Sequence, residues 1–491
     1  MNFIEASDRR EIELLPSCLD DYVSHDSTVR DIDIFVETLN LEGCGFNFPK
    51  SDIQGRGRPS YHPKYLLKLY IYGYMNGLRS GRKLEKSCQI NMEVIWLMQK
   101  LKPDFKTICD FRKTNSDAFK TVAAKYSLHC YHQGHIDGKL LAVDGSRIKG
   151  LNSPDKSWSE AKAKRLLSHL EKESAKYLDI LAKADDCPVS SDKERLKHIK
   201  HKIEHLEQRQ EEVRAAQGKM SETGQSHLSQ TDEDCKILKK NGTVVVGYNA
   251  QTVVDSKNGL IVCSEVTNKQ NDLGLLAPMV KEAKDLLELN ETDVVADKGY
   301  YTGEDLKECD NHNITVHIPE VLASPAERNG FFGKRDFNYD SNEDVYICPA
   351  GQKLSTPDTN KKQKNYRNRK ACKQCPLKQR CTASKYRTIK RCENDKYLEK
   401  NRKRLSSNKD IRKRRKTIVE APFSWLKLQA LVGGFNTKGF KMVRAEFCLA
   451  QIAYNMKRVK AIKDTLRRSL LVNIKHFLAF IRVYRSLKTA V

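Results

Sequence analysis

Two short apolar runs in this chain each end in an aspartate and are followed by a glycine within two residues. The first run is Leu140–Val143, ending at Asp144, and the second is Val294–Ala296, ending at Asp297. Each is typical of a buried strand with the aspartate at its carboxyl end and a turn at the glycine. Two carboxylates at one sheet edge suit hard divalent cations, which prefer oxygen ligands. A lone aspartate after a strand is usually a turn or cap residue, so the prediction depends on the pair.

A third acid is expected on a helix that packs against this edge. Glu420 is the first candidate, because Lys427 follows it by two helical turns and would lie on the same face. A carboxylate and a lysine together suit a site for metal ions and a phosphodiester. Glu446, on a later amphipathic helix, is the rival third carboxylate.

Charge and composition narrow the class of protein. The 491 residues carry a formal net charge of +25, which indicates a polyanionic partner, although a membrane surface is the alternative. No apolar stretch reaches the length of a membrane span, and the first residues show no signal pattern. The 15 cysteines favour reduced thiols or metal binding over disulfides in an intracellular protein. We expect a soluble, cytoplasmic protein directed to nucleic acid.

Residues 1–135 are predicted to form a helical domain. Apolar residues recur at helical spacing, Ser17 could cap one helix, and basic residues stand at several helix starts and in a Gly- and Arg-rich loop. This pattern favours a DNA-binding domain of the helix-turn-helix kind, and the alternative is a structural cap whose basic residues are only solvated. The candidate DNA contacts here are Arg56, Arg58, Arg82 and Arg112.

Residues 136–325 are predicted to form the first part of an α/β core. After Asp144, a polar helical hairpin is inserted at about 155–223, as an arm for DNA or a second subunit or as a spacer. A β-hairpin, a helix, the strand that ends in Asp297, a helix and a further strand follow. This is the element order of a ribonuclease H-like core, a mixed sheet flanked by helices. Asp272 is either an auxiliary acid or, as we favour, the cap of the helix that follows it.

Residues 326–399 form a Cys-rich insertion. One C-x-x-C pair and two flanking cysteines can supply an all-thiolate site for one structural Zn²⁺, with Cys392 as a substitute ligand. Reduced cysteines without metal are the alternative. The four ligands expected are Cys348, Cys372, Cys375 and Cys381.

Residues 400–491 contain a basic segment, the Glu420 helix and C-terminal helices that close the core. Charge runs are usually solvated faces, but this one leads directly into the Glu420 helix, where phosphates would pass. Its candidate DNA contacts are Arg412, Arg414, Arg415 and Lys416.

Three blocks of the chain resemble the DDE transposases of bacterial insertion sequences, specifically the group numbered 1182. The blocks are 142–146 (AVDGS), 295–300 (VADKGY) and 418–423 (IVEAPF), and the helical and Cys-rich regions are similar too. The resemblance implies a ribonuclease H-like core on which Asp144, Asp297 and Glu420 hold two Mg²⁺ or Mn²⁺ ions. The family signature commonly has arginine four residues before the glutamate. Here Lys416 stands in that place, and lysine offers a point charge in place of a bidentate fork.

The resemblance also implies the reaction. The protein would cleave double-stranded DNA at the terminal inverted repeats of its element and join the 3′ ends to target DNA. It would act as a homodimer on paired ends. Its location would be the bacterial cytoplasm, near the nucleoid. The alternatives are a metal-dependent nuclease of the same fold that cuts without joining, and a DNA-binding protein whose catalytic site has decayed.

Overall fold

The computed structural model of the chain describes residues 18–48, 59–152, 157–186, 193–224, 227–240, 243–320, 325–356, 363–407 and 409–488. Helices and strands are both abundant and share one large core, so the mixed α/β class predicted from the sequence is confirmed. The predicted cap Ser17 and the loop containing Arg56 and Arg58 lie outside the described residues.

Six helices make up the amino-terminal part. They begin after a short 3-10 turn, Leu19–Tyr22. Their buried faces are rich in leucine and aromatic residues, and the capping side chains of Ser27, His62, Asn91 and Asp104 mark four of their starts. The six are α1 (Thr28–Glu37), α2 (Pro63–Met75), α3 (Gly81–Ile90), α4 (Met92–Leu97), α5 (Phe105–Thr114) and α6 (Ala118–His132).

A six-stranded mixed sheet forms the centre. The strands are β1 (Leu140–Lys149), β4 (Lys236–Lys240), β5 (Thr243–Asp255), β6 (Ile261–Thr267), β7 (Thr292–Ala296) and β8 (Ile314–His317). The main order is β4-β5-β1-β7-β8, with β6 also paired to β5. Strands β7 and β8 run parallel to β1, and β5 is antiparallel to β1, β4 and β6. Helices α9 (Leu276–Leu286) and α10 (Gly303–Asn311) connect β6 to β7 and β7 to β8.

The first strand continues past the point that the sequence predicts. We expected Asp144 to end the strand and Gly145 to begin a turn, but β1 runs to Lys149, and Gly145 pairs with Gln251 of β5. The turn prediction is wrong because the 13-residue partner β5 supplies hydrogen bonds along the whole of β1. The glycine is needed for close packing, since a Cβ at position 145 would lie 2.2 Å from Gln251 Nε2.

Two antiparallel helices occupy the inserted segment. Helices α7 (Glu160–Asp186) and α8 (Lys193–Thr223) pack around a small apolar cluster of their own. An ion pair between Arg214 of α8 and Glu171 of α7 links the two helices. Two short strands, β2 (Ser157–Ser159) and β3 (His227–Ser229), pair at the base of the hairpin.

The Cys-rich region has a separate small core. Its buried residues are mainly aromatic and include Phe337, Tyr346 and Tyr366. The strands are β9 (Asn338–Asp340), β10 (Val345–Ile347), β11 (Lys353–Leu354), β12 (Gln363–Arg367) and β13 (Thr388–Cys392), and the short helices are α11 (Pro325–Arg328), α12 (Arg369–Lys373) and α13 (Lys378–Cys381).

Three helices complete the fold. They are α14 (Asp395–Ser407), α15 (Lys409–Trp425) and α16 (Phe440–Lys488). Helix α15 packs on β1, β5 and β7, and α16 packs on α2, α6 and β6. Helix α16 therefore joins the amino-terminal helices to the sheet. Across the described part of the chain, we find no helix with the length and apolar character needed to cross a membrane.

Candidate active site

The two aspartates lie on neighbouring parallel strands. The ladder between β1 and β7 ends where Val143 pairs with Ala296, and the next residue of each strand is Asp144 or Asp297. Each carboxylate accepts a hydrogen bond from the backbone N–H of the residue after it, at 3.0 Å for Asp144 and 2.7 Å for Asp297. Both are half-buried. The sheet thus brings two carboxylates to the carboxyl edge shared by two parallel strands.

Arg415 of α15 faces Asp144. Its Nη1 lies 3.4 Å from Asp144 Oδ1, and the two side chains are 20% and 23% exposed. The same Nη1 is buried and makes no hydrogen bond within the described part of the chain. The contact is therefore an ion pair whose donor is only partly satisfied. Sequence reasoning had grouped Arg415 with the DNA contacts, and helical periodicity was the signal that could have placed it on the buried face with Ile418 and Val419.

Glu420 lies on the flank of the same helix. Its side chain is 64% exposed, and its Oε1 is 3.8 Å from Lys416 Nζ. The α-helix ends at Trp425, and Lys427 lies in a π-helical turn, Leu426–Ala430. The predicted regular spacing of two α-helical turns between Glu420 and Lys427 is therefore wrong, because the π turn takes more residues per turn.

The carboxylates of this site are ligands of the kind that a divalent cation prefers, but the three predicted ones are not close enough together to bind one. Carboxylate oxygens are the ligands that Mg²⁺ and Mn²⁺ prefer, and the two strand ends supply them. Among the described residues, however, no three His, Cys, Asp or Glu side chains are gathered closely enough to hold a metal ion. The structure brings together Asp144 and Asp297 and leaves Glu420 exposed to one side.

Asp272, for which the sequence left open an auxiliary acid or a helix cap, lies beside Gly145, the residue after Asp144. Its Oδ1 accepts hydrogen bonds from Asn249 Nδ2 at 2.8 Å and Gln251 Nε2 at 2.9 Å. The helix that follows it, α9, has Leu275 as its N-cap residue, without a capping side chain. The Asp305 carboxylate, from α10, accepts the N–H groups of Gly274 and Ala277. The prediction that Asp272 caps this helix is wrong.

The rival carboxylate Glu446 serves a structural purpose. It is fully buried, and its Oε2 accepts hydrogen bonds from the backbone N–H groups of Asn436 and Thr437, each at 3.0 Å. Its Oε1 is 3.3 Å from Arg79 Nη1. These partners already satisfy the carboxylate, so Glu446 is not available to bind a metal.

The candidate DNA contacts lie in different environments. Arg112 is only 9% exposed, donates a hydrogen bond to the Tyr74 hydroxyl at 3.2 Å and stacks over the Tyr70 ring. This burial argues against a phosphate contact for Arg112. Arg82 is exposed at the first turn of α3, against the Phe105 ring. On α15, Arg414 and Lys416 are exposed, whereas the side chain of Arg412 lies outside the described residues.

The structure does not gather the four candidate zinc ligands, all of which it describes, closely enough for three of them to hold a metal ion. Burial raises the pKa of the Cys381 thiol, and negative charge on Cys372, Cys348 and Cys375 would raise it further. All four are free thiols and half-buried. Cys392 is exposed in β13 and faces α10 residues such as Glu304 and Glu308, so it is not placed as a substitute ligand.

Comparisons with known proteins support one family. Residues 17–114 match the model of a transposase domain of the DUF772 family, and residues 347–460 match the model of a transposase DDE domain. The second match contains Glu420 and the Cys-rich region, whereas Asp144 and Asp297 lie between the two matches. No curated protein matches the chain. A solved structure, the piggyBac transposase synaptic complex with hairpin DNA, aligns at 8% identity with a TM-score of 0.36, over 89% of this chain and 76% of that one. Two models of transposase domains therefore match two separate segments of this chain.

Proposed function

We propose that this protein is the transposase of a bacterial insertion sequence, similar to the group numbered 1182, which cuts DNA at the ends of its element and joins the 3′ ends to target DNA. The observation that carries the proposal is the position of Asp144 and Asp297 directly after the last residue pair of the parallel ladder between β1 and β7, together with the matched transposase domains. The strand order also supports it. Omitting the added strand β4, the order β6-β5-β1-β7-β8 has three antiparallel strands and two parallel ones, as expected of a ribonuclease H-like core.

In this proposal, Asp144, Asp297 and Glu420 would hold two Mg²⁺ or Mn²⁺ ions. Bound divalent ions would make the attacking oxygen more nucleophilic and stabilise the charge on the leaving 3′ oxygen. The exposed Glu420 must approach the aspartate pair for this, and it lies on a helix that packs against β1 and β7.

The surrounding basic residues would bind and orient the DNA backbone. Arg414 and Lys416 are exposed on α15 close to Glu420, where they can neutralise phosphates. Arg415 places a positive charge directly beside Asp144. With DNA bound, its poorly satisfied guanidinium has a phosphate as a better partner, because guanidinium and phosphate form charge-assisted hydrogen bonds. Water would be the first nucleophile, and the released 3′-OH the second.

The test uses purified protein, Mg²⁺ and labelled DNA that carries the flanks of the gene. We expect wild type to cut at a discrete flank position and to join the labelled 3′ end to a second duplex. Asp144→Asn should abolish cutting and leave flank binding intact. The matched control is Asp293→Asn, since Asp293 lies on the same strand as Asp297 but is paired with His317 at 3.1 Å.

The outcomes separate the alternatives. Cutting without joining would indicate a nuclease. Flank binding without any cutting by wild type would indicate a DNA-binding protein with a decayed site. Equal cutting by wild type and Asp144→Asn would remove Asp144 from the catalytic site and contradict the proposal.

We also propose that Cys348, Cys372, Cys375 and Cys381 bind one structural Zn²⁺. All-thiolate donors are typical of structural zinc. Cys372, Cys348 and Cys375 each act on the pKa of Cys381, which supports a site shared by the four cysteines. The protein would act as a homodimer on the paired DNA ends of its element, in the bacterial cytoplasm.

A further inference from the structure

Asp272 lies against both of the segments that follow the catalytic aspartates. A Cβ at Gly145, directly after Asp144, would lie 3.0 Å from Asp272 Oδ1, and a Cβ at Gly299, two residues after Asp297, would lie 3.3 Å from Asp272 Oδ2. One carboxylate therefore fills the space beside two glycines, Gly145 within β1 and Gly299 in the 3-10 turn that follows β7. Neither glycine has a positive φ, so close approach of a neighbour, not backbone conformation, explains why both positions are glycine.

Gln251 and Tyr300 extend this contact across the sheet. Gln251 donates its Nε2–H to Asp272 at 2.9 Å and accepts the Tyr300 hydroxyl at Oε1. Tyr300 is fully buried, and burial, with the nearby charges of Asp272 and Asp144, raises the pKa of its hydroxyl well above the usual range. The hydroxyl therefore remains a donor. If the Gln251 amide were reversed, the amide oxygen would face the Asp272 carboxylate and repel it. The hydrogen bonds to Asp272 and Tyr300 therefore fix the orientation of the Gln251 amide.

Asp272 lies on the opposite side of β1 from the Asp144 carboxylate. Side chains alternate along a strand, so those of Asp144 and Gly145 point to opposite faces. Arg415 approaches the Asp144 side chain, whereas Asp272 and Gln251 occupy the side-chain position of Gly145. Asp272 thus acts on the site through its neighbours and is a positioning residue.

The ladder between β1 and β7 does not extend to the two aspartates themselves. Pairing between β1 and β7 stops at Val143 and Ala296, one residue before each aspartate. We propose that the side chains of Asp272, Gln251 and Tyr300 form a positioning network that sets the separation of Asp144 and Asp297, and thereby the affinity of the site for divalent cations. This inference depends on the proposed function, in which those aspartates bind the metal.

The test is Mn²⁺ binding to the full-length protein without DNA, followed by electron paramagnetic resonance, for Asp272→Asn, Tyr300→Phe and the double variant. Both substitutions keep the shape of the side chain. We expect each single variant to bind Mn²⁺ about tenfold more weakly, as is usual for residues that orient metal ligands. The double variant should be no weaker than the single ones, because the three side chains act as one unit. Flank DNA binding, which requires a folded protein, should stay within about twofold.

The matched control is Asn249→Ala. Asn249 also donates to Asp272 Oδ1 but contacts neither Gly145 nor Tyr300, so its loss should leave Mn²⁺ affinity within about twofold if the network is specific.

Two results would overturn the network. One is unchanged Mn²⁺ affinity in Asp272→Asn and Tyr300→Phe while Asp144→Asn abolishes binding. The other is a loss of Mn²⁺ affinity in Asn249→Ala equal to that in the network variants and accompanied by a loss of thermal stability. That result would show that the contacts of Asp272 only stabilise the fold. Wild-type Mn²⁺ binding that is insensitive to Asp144→Asn would instead contradict the proposed function itself.

Discussion

At the scale of single residues, the contact between Arg415 and Asp144 has a direct consequence for metal binding. The guanidinium occupies the position beside Asp144 Oδ1, where a divalent cation would bind, so the two positive charges compete. Removing the guanidinium removes the competitor.

We therefore predict that Arg415→Gln binds Mn²⁺ more tightly than wild type, by about tenfold, since one unit charge at close range near a protein surface is worth on the order of 1–4 kcal/mol. Titration calorimetry measures the affinity. Arg414→Gln is the control, because Arg414 is exposed on the same helix. Weaker Mn²⁺ binding in Arg415→Gln would show that the arginine supports the metal site and does not compete with it.

Sequence patterns predict the two strands that precede the aspartates, but they do not predict positions that depend on packing. The apolar runs before Asp144 and Asp297 predict two strands, and the sheet places them side by side. The buried position of Arg112 and the place of Asp272 beside the two glycines depend on contacts between distant segments. Local sequence patterns do not carry that information.

At the scale of elements, the last residue of β5 carries a buried carboxylate. Asp255 is fully buried and accepts backbone hydrogen bonds from Gly138 and Lys257, each at 2.9 Å. Burial is the main cause that raises the pKa of Asp255 from 3.8 to about 6, although these hydrogen bonds oppose it. The folded protein therefore binds a proton here more tightly than the unfolded chain does.

We predict that Asp255 makes the protein less stable as the pH rises from 5 to 7. Its contribution is present in full below the unfolded pKa and is lost as the pH passes through the folded pKa. Wild type should lose about 1 kcal/mol over this range relative to Asp255→Asn, measured by urea denaturation of both proteins at each pH. Parallel pH profiles for the two proteins would contradict the raised pKa.

The Cys-rich region gives a second prediction at this scale. If its four cysteines bind Zn²⁺, the purified protein should release one equivalent when its thiols are modified, as detected by a colorimetric zinc indicator. Cys375→Ser should contain little zinc and lose thermal stability, because Cys348 and Cys381 pack against the small aromatic core and a metal bound to them would stabilise it. Cys392→Ser is the matched control and should keep its zinc, since Cys392 is exposed elsewhere on the region. Equal zinc content in both variants would contradict the assignment.

The helix that carries Glu420 was predicted from the sequence only in part. A helix was predicted, and α15 forms. Its end in a π turn could not be read from apolar spacing, because it depends on how Leu426 and Ala430 are buried against the core. The orientation of Glu420 relative to the aspartates has the same origin.

At the scale of the whole molecule, a buried ion pair connects the amino-terminal helices to the carboxyl-terminal part. Arg79 follows α2 and contacts Glu446 of α16 as well as the carbonyl groups of Val432 and Gly434. The Arg79 and Glu446 side chains are 9% and 0% exposed. Loss of one partner would leave the other charge buried and unpaired.

We predict that Arg79→Ala lowers the free energy of unfolding by about 3–5 kcal/mol, as is typical when one partner of a buried pair is removed. Lys441→Ala is the matched control, because Lys441 and Asp117 link the same two parts of the chain through an exposed pair, worth under about 1 kcal/mol. Denaturant unfolding measures both. Equal effects would show that the buried pair does not hold the two parts together.

The measurement that tests the central claim most directly is Fe²⁺-directed cleavage of the protein backbone. Iron bound at the proposed metal site, given ascorbate and hydrogen peroxide, would reduce the peroxide to hydroxyl radicals, which cut the chain close to the metal, and mass spectrometry locates the cuts. The account predicts cuts near Asp144 and Asp297 in wild type, cuts near Glu420 once flank DNA is bound, and loss of all of them in Asp144→Asn. Cuts confined to other segments, or a pattern unchanged in Asp144→Asn, would contradict the assignment of the aspartate pair as the metal site.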